Sequence, residues 1–597
     1  MSEVLKERQE IDSRDKWAIE DLYADDILWE KDLAYVKEGI EELKGYEGRL
    51  DESVEAFADF INLYKKVNMI FEKVYVYANE KMHENTLDEK YQQMAGEAGI
   101  VEAMLSTATA FFEPELLSLS EERVKEYLKE DRLSYLSQYV DNIFRKKAHT
   151  LSQNEERILA MAGELSLVPD NVFAMFNNAD IRFPSIKGED GEEVEITHGR
   201  YTKLLESKQV DVRKAAFMGL YETYKKNINM LSAVYNGQLI AHTFYARARK
   251  YDSNMAMELA GSNIDIDVYK NLIKTVKSRL PLLHKYVALR KKALNTKELH
   301  MYDLYTPIVD ECKEEYTFDQ ARELVTKALE CMGKDYIDIL NQGFEEGWID
   351  KYENRGKRSG AYSWGAYGTH PYVLLNYQGN LNSVFTLAHE MGHALHTYYS
   401  SDSQDYFYAG YKIFVAEVAS TCNEALLINY LLNNTDDDNK KAYLINYYLE
   451  QFRGTLFRQT MFAEFEMIVH EKSMNNESLT ATEFNNIYYN LNKEYFGDDI
   501  VVDKEIAYEW ARIPHFYSPF YVYQYATGFS AAIAFAKRIL SGNKEWIDDY
   551  KGFLKAGSSK YPIDILKDAG IDMRQAKPIE DALKEFEENL NKLELML

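Results

Sequence analysis

Apolar side chains recur at three- and four-residue intervals through most of the chain, the pattern of amphipathic helices. The stretches from Ile61 to Tyr77 and from Glu155 to Leu165 carry it clearly, and residues 27–180 read as one helix after another. The period breaks over residues 181–198. There Ile186, the turn Gly188-Glu-Asp-Gly191 and the alternating Val194 and Ile196 predict a β-hairpin. Helices resume over residues 200–293 and 318–343. Residues 344–380 change character again. Gly356, Gly360, Gly365 and Gly368 interleave with Tyr362, Trp364 and Tyr367, and His370-Pro-Tyr-Val-Leu-Leu-Asn-Tyr377 is an apolar run. A small sheet is predicted there, its last strand leading straight into the next helix. From Ser383 onward long helices dominate. The last places Ile579, Leu583, Phe586, Leu590 and Leu593 on one stripe, an intramolecular core face.

Composition supports a mostly α fold with a large core, since 46% of the 597 residues are hydrophobic and only 10 are proline. The formal net charge of −28 repels phosphate backbones and excludes nucleic acid as a partner. The nearest thing to a basic cluster, Arg355, Lys357 and Arg358, reads as a solvated loop. Cys312, Cys331 and Cys422 form no CxxC pair, which excludes a disulfide scaffold or a cysteine-rich zinc knuckle. The start, MSEVLKERQEIDSRDKW, lacks the apolar core of a secretion signal. No uninterrupted apolar run reaches the ~18 residues of a membrane span. A soluble, cytoplasmic protein with no membrane partner is expected; oligomeric state stays open.

The chemistry concentrates in Asn382-Ser-Val-Phe-Thr-Leu-Ala-His389-Glu390-Met-Gly-His393-Ala-Leu-His396. Asn382 or Ser383 can cap a helix that runs through the histidines. His389 and His393, at i and i+4, share one face, so their imidazoles can converge on a metal ion. Glu390 is rotated about 100° from His389, which suits a base beside the metal. The flanks are apolar or small, implying a buried helix, and buried histidines need a polar partner. A hydrogen-bonded pair of core histidines is the bland alternative. A catalytic zinc takes a third protein ligand. Glu417, 24 positions beyond His393 on a second apolar helix, is favoured, and Glu424 is the runner-up, otherwise placed to hydrogen-bond a ligating histidine. Asp402, Asp405 and His396 are weaker rivals. Further on, Pro514-His515-Phe-Tyr517-Ser-Pro-Phe-Tyr521-Val-Tyr523-Gln-Tyr525-Ala-Thr-Gly528 offers imidazole and phenol donors for an oxyanion, His515 among them.

HEMGHALH followed by EVASTCNE, with the upstream THPYVLLNY and the downstream PHFYSPFYVYQYATG, resembles the oligoendopeptidase F branch of the thimet oligopeptidase (M3) family of zinc peptidases. With the Trp17 and Trp29 region the similarity runs over nearly the whole chain. The resemblance implies His389, His393 and Glu417 as ligands of one zinc ion per chain, Glu390 as base, and Tyr517 and Tyr523 as donors beside His515. It also implies a helical, clam-like metallopeptidase with a deep central channel that admits short peptides. Three regions follow: an N-terminal helical region over 1–110, a helical lid or scaffold over 111–199 ending in the hairpin, and a catalytic zinc peptidase domain over 200–597.

The expected reaction is hydrolysis of internal peptide bonds of oligopeptides. Glu390 takes a proton from metal-activated water and passes it to the departing amine, while the strand from Tyr372 to Tyr377 hydrogen-bonds an extended substrate. The alternatives are a helical HExxH metallocarboxypeptidase and a non-catalytic zinc-containing peptide-binding protein.

Overall fold

A computed structural model describes residues 5–310 and 313–597; Cys312 and the first four residues of the start lie outside the described residues. Along the chain, the elements that matter below are α1 (Asp26–Lys44), α2 (Val54–Glu84), α3 (Glu89–Thr109), α4 (Gln153–Ser166), α5 (Val168–Met175), the strands β1 (Ser185–Lys187) and β2 (Glu193–Glu195), and α6 (Ile228–Ala248). There follow β3 (Ile349–Asp350), β4 (Tyr362–Trp364), β5 (Tyr372–Leu374), α7 (Leu381–Ser403) and α8 (Ile413–Asn433). The chain ends with α9 (Asp438–Gln451), α10 (Arg458–Met474), α11 (Ala481–Phe496) and α12 (Lys577–Met596). The fold is mostly α with a small sheet, as the periodicity predicts.

The chain forms two compact units, each drawn from three stretches: Met1–Ala148, Lys313–Tyr430 and Phe535–Gly570 in one, His149–Cys312, Leu431–Ala534 and Ile571–Leu597 in the other. This division cuts across the sequential regions 1–110, 111–199 and 200–597. Apolar helix faces find cover both in the next helix, as α1, α2 and α3 do in one another, and in segments remote along the chain.

In the first unit α1, α2 and α3 begin at side-chain caps, Asp25, Ser53 and Asp88. They bury Val36, Ile40, Phe57, Phe60 and Val74 in one core. The three-stranded sheet has the order β3-β5-β4, with β5 parallel to β3 and antiparallel to β4. In the basic run beside it Arg355 and Arg358 are exposed, as a solvated loop predicts, but Lys357 is not. The Lys357 side chain is fully buried, pairs with Asp350 at 2.7 Å and donates to the carbonyls of Tyr352 and Leu375. Arg358 donates to His83 at 2.7 Å. Lys357 pins the loop because a buried ammonium must spend all its donors locally.

In the second unit β1 and β2 pair Ile186 with Val194, and Gly191 takes φ +82° in the turn, the predicted hairpin. The stripe on α12 is core, with Ile579, Leu583, Phe586, Leu590 and Leu593 all buried. The α4–α5 stretch is amphipathic as expected, yet its apolar face is exposed at Ile158, Met161, Leu165, Val168, Val172 and Met175. By length and composition the helical stretch Asn154–Asp180 could cross a membrane, its most apolar 18 residues having a mean hydropathy of 1.3 with 11% of them buried. Glu164 and Asp170 interrupt that stretch.

Candidate metal centre

The helix α7 starts two to three residues earlier than expected from Asn382 or Ser383. Asn380, not Asn382 or Ser383, is the cap, its side chain accepting the Ser383 N–H at 2.9 Å. From there α7 runs through a buried interior that places His389 and His393 one above the other and leaves both half-buried. The helix α8 passes alongside. At the crossing Gly392 has no room for a side chain: a Cβ there would stand 2.6 Å from Ser420 Cα and 2.8 Å from the Ala419 carbonyl oxygen. Asn423 reinforces the contact, donating to the Ala388 carbonyl at 3.1 Å while accepting from Tyr336.

This approach brings Glu417 to the histidines. Its Oε2 lies 3.4 Å from His389 Nε2 and 3.4 Å from His393 Nε2. Ligands at zinc's ~2.0–2.1 Å in a tetrahedron stand about 3.3 Å apart, so the donor set fits such an ion by type and by spacing. Among the described residues these three form the one cluster whose His, Cys or carboxylate atoms lie within 4.8 Å of one another. Glu424 accepts from His389 Nδ1 at 2.5 Å, which leaves Nε2 facing Glu417. Ser420 donates to Glu417 Oε2 at 3.0 Å.

The electrostatics follow from these contacts. Burial alone would push His389 down; hydrogen bonds to Glu417 and Glu424 outweigh it and bring the imidazole up to about 10. Burial likewise opposes ionisation of Glu417, but its bonds to His389 and His393 hold it well below the usual carboxylate range. Glu390 goes the other way. Burial raises its carboxyl, with the two histidines only partly offsetting the effect, and its Oε2 has no hydrogen-bond partner among the described residues.

The rivals separate cleanly. His396 is buried, stacks on Tyr411 at 3.7 Å and is pushed down to about 3 by burial. Asp405 caps a short helix and pairs with Lys65, and Asp402 is exposed.

The donor segment belongs to the second unit. His515, Tyr521 and Tyr525 cluster there: Tyr525 OH is 3.3 Å from His515 Nε2, and the Tyr521 ring stacks on the imidazole at 5.8 Å. Burial, and then the Arg458 charge, lower His515. Tyr517 and Tyr523 make ring contacts of their own. Tyr517 stacks on Phe173 at 4.5 Å and Tyr523 packs on Tyr269 at 4.8 Å; both rings are buried. Tyr521 and Tyr525 were accessible to sequence reasoning only as further members of a tyrosine-rich run. The segment is held from beneath. Phe520, at φ +53°, donates its N–H to Glu466 at 2.9 Å, and Gln238 donates to the Tyr517 carbonyl at 3.2 Å.

The sheet corrects one expectation. The strand β5 is central and paired on both sides, so Tyr372–Leu374 has no free edge for a substrate strand; the edge strands are β3 and β4.

The profile of Peptidase family M3 matches residues 203–585, and that of Oligopeptidase F matches residues 115–183. The chain is 47% identical to the oligopeptidase PepF of Bacillus subtilis, over 99% of this chain and 89% of the relative. Among solved structures, one from Chlamydophila abortus matches with a TM-score of 0.93 at 35% identity, over 100% of each chain. The oligoendopeptidase F of Enterococcus faecium matches with a TM-score of 0.76 at 38% identity, over 96% of this chain and 99% of that one.

Proposed function

Since the chain belongs to peptidase family M3, we propose that it is an endopeptidase of short peptides that works with one zinc ion held by His389, His393 and Glu417. The observation that carries the reading is the convergence of two imidazole nitrogens on one carboxylate oxygen at 3.4 Å each, beside Glu390, whose Oε2 has no hydrogen-bond partner among the described residues. Zinc, when bound there, supplies a Lewis acid that acidifies water and polarises a peptide carbonyl.

The chain's own residues supply the rest. Glu424 orients His389 through Nδ1, so the other ring nitrogen is free to ligate. Glu390 takes the proton of the attacking water and delivers it to the departing amine nitrogen. A carboxylate suits the task because it can both take a proton and give it back. The developing oxyanion calls for a hydrogen-bond donor. In this reading His515, Tyr517 and Tyr523 are the candidates for that role, the two tyrosines on the strength of the family resemblance. The proposed place of action is the cytoplasm, where Cys331 and Cys422 remain thiols.

The test combines metal analysis with digestion of an internally quenched peptide whose C-terminus is amidated. One zinc per chain, internal cleavage and loss of activity with a chelator are expected. Glu390→Gln is expected to keep the metal and lose roughly 10²–10⁴-fold in kcat. Undiminished turnover in that variant, or in metal-stripped protein, overturns the mechanism, and an amidated peptide left intact overturns the endopeptidase assignment.

A further inference from the structure

The second unit contains a cavity of about 30 Å³ whose wall carries three guanidiniums, those of Arg453, Arg458 and Arg512, and one carboxylate, that of Glu509. Glu509 cannot serve them all. It pairs with Arg458 at 2.8 Å, reaches Arg512 only at 3.8 Å and also accepts from Tyr488 OH. Arg453 pairs with Glu450 at 2.6 Å, but Glu450 also holds Arg290 at 3.0 Å. Four guanidiniums therefore share two carboxylates, an excess of two positive charges, in a chain whose formal net charge is −28.

These charges are not simply solvated. Arg453 and Arg290 are 4% and 1% exposed, and the Arg458 and Arg512 side chains 19% and 20%. Arg453 lies over Tyr305 at 4.8 Å, Arg458 over Phe462 at 4.2 Å and Arg512 over Tyr201 at 5.3 Å. Ring contacts of this kind stabilise a cation but leave its charge in place. Two wall atoms, Arg512 Nε and Asn492 Oδ1, are buried without a hydrogen-bond partner among the described residues. Asn492 Oδ1 needs a donor, which a water can supply, whereas Arg512 Nε–H needs an acceptor; only an anion accepts there and also offsets the charge, and buried charge left unpaired is costly. The space exceeds the ~10–15 Å³ that one water needs but is too small for a phosphate ester or a peptide.

We propose that this cavity binds a small monovalent anion, chloride being the abundant one, between Arg453, Arg458 and Arg512. Arg458 is also one of the groups that depress His515, so occupancy ties the anion to the donor segment on the same unit.

The test uses the full chain exchanged into sodium gluconate, then titrated with sodium chloride or bromide at fixed ionic strength. A saturable rise in Tm of ~2–4 °C is expected, together with an anomalous bromide peak within hydrogen-bond reach of Arg512 in crystals grown with bromide. Arg512→Gln should abolish both. A rise that never saturates and is equal in the variant is a general salt effect and overturns the proposal. If the variant does not fold, the unaltered chain decides alone: a peak in the cavity sustains the site, and its absence at saturating bromide ends it.

Discussion

Glutamate shows how far environment sets chemistry in this chain. Glu417 is held ionised by two imidazoles, Glu390 is raised by burial beside them, and Glu466 is buried with no cation paired to it among the described residues. Burial lifts the Glu466 carboxyl well above its ordinary range; the Phe520 N–H opposes this and the Glu258 charge adds to it. A group whose folded pKa is raised contributes stability that is fully present below its unfolded value of 4.5 and is lost as pH climbs towards the folded value. Glutamine keeps an acceptor for Phe520 and never ionises. Glu466→Gln is therefore expected to gain on the unaltered chain by roughly 1.4 kcal/mol per pH unit above 4.5, for as long as Glu466 stays protonated. Chemical denaturation at pH 5.5 and pH 7.5 reads this directly. A difference between the two proteins that is the same at both values would show that Glu466 is ionised in the folded state.

Helix packing decides whether the ligands meet at all, and Gly392 is where it does so. Alanine there would drive its methyl into the α8 backbone, which unlike a flexible side chain cannot step aside. Overpacking of this kind costs about 1–3 kcal/mol. Part of it should appear as separation of Glu417 from the histidines, so Gly392→Ala is expected to weaken zinc binding at least about tenfold, read by competition with a chromophoric chelator. Wild-type affinity in a folded variant would mean that the crossing tolerates a methyl group. Much of this element-scale design is legible in the chain. An i, i+4 histidine pair on an apolar helix and a lone carboxylate on the next can be read from spacing, and the small residue inside HEMGH is explained once α8 is seen against it. Other features depend on contacts with no sequence period. Alternation cannot say that β5 is central rather than an edge. Composition cannot say that Lys357 turns inward to Asp350. In PHFYSPFYVYQYATG nothing local separates the buried Tyr517 and Tyr523 from the tyrosines grouped with His515, because the choice rests on where Phe173 and Tyr269 lie. The arginines around the small cavity belong to no motif; only the shortage of carboxylates around them marks the place.

At the scale of the whole molecule the dominant property is charge. Asp and Glu number 98 against 70 Lys and Arg, giving the formal net charge of −28. A field of that sign attracts cationic peptides and repels anionic ones before any contact forms, and salt screens it over a Debye length of ~10 Å at 0.1 M. The effect acts on encounter rather than on the chemical step, so it belongs in kcat/KM and not in kcat. Two quenched peptides that share a cleavable centre, one flanked by lysines and one by glutamates, isolate it. Raising ionic strength from about 0.02 to 0.5 M should lower kcat/KM for the lysine peptide and raise it for the glutamate peptide, while kcat for both stays level. The directions must be opposite, because one field acts on opposite charges. If both peptides move the same way, salt is acting on the protein rather than on the encounter, and the acidic surface serves solubility alone.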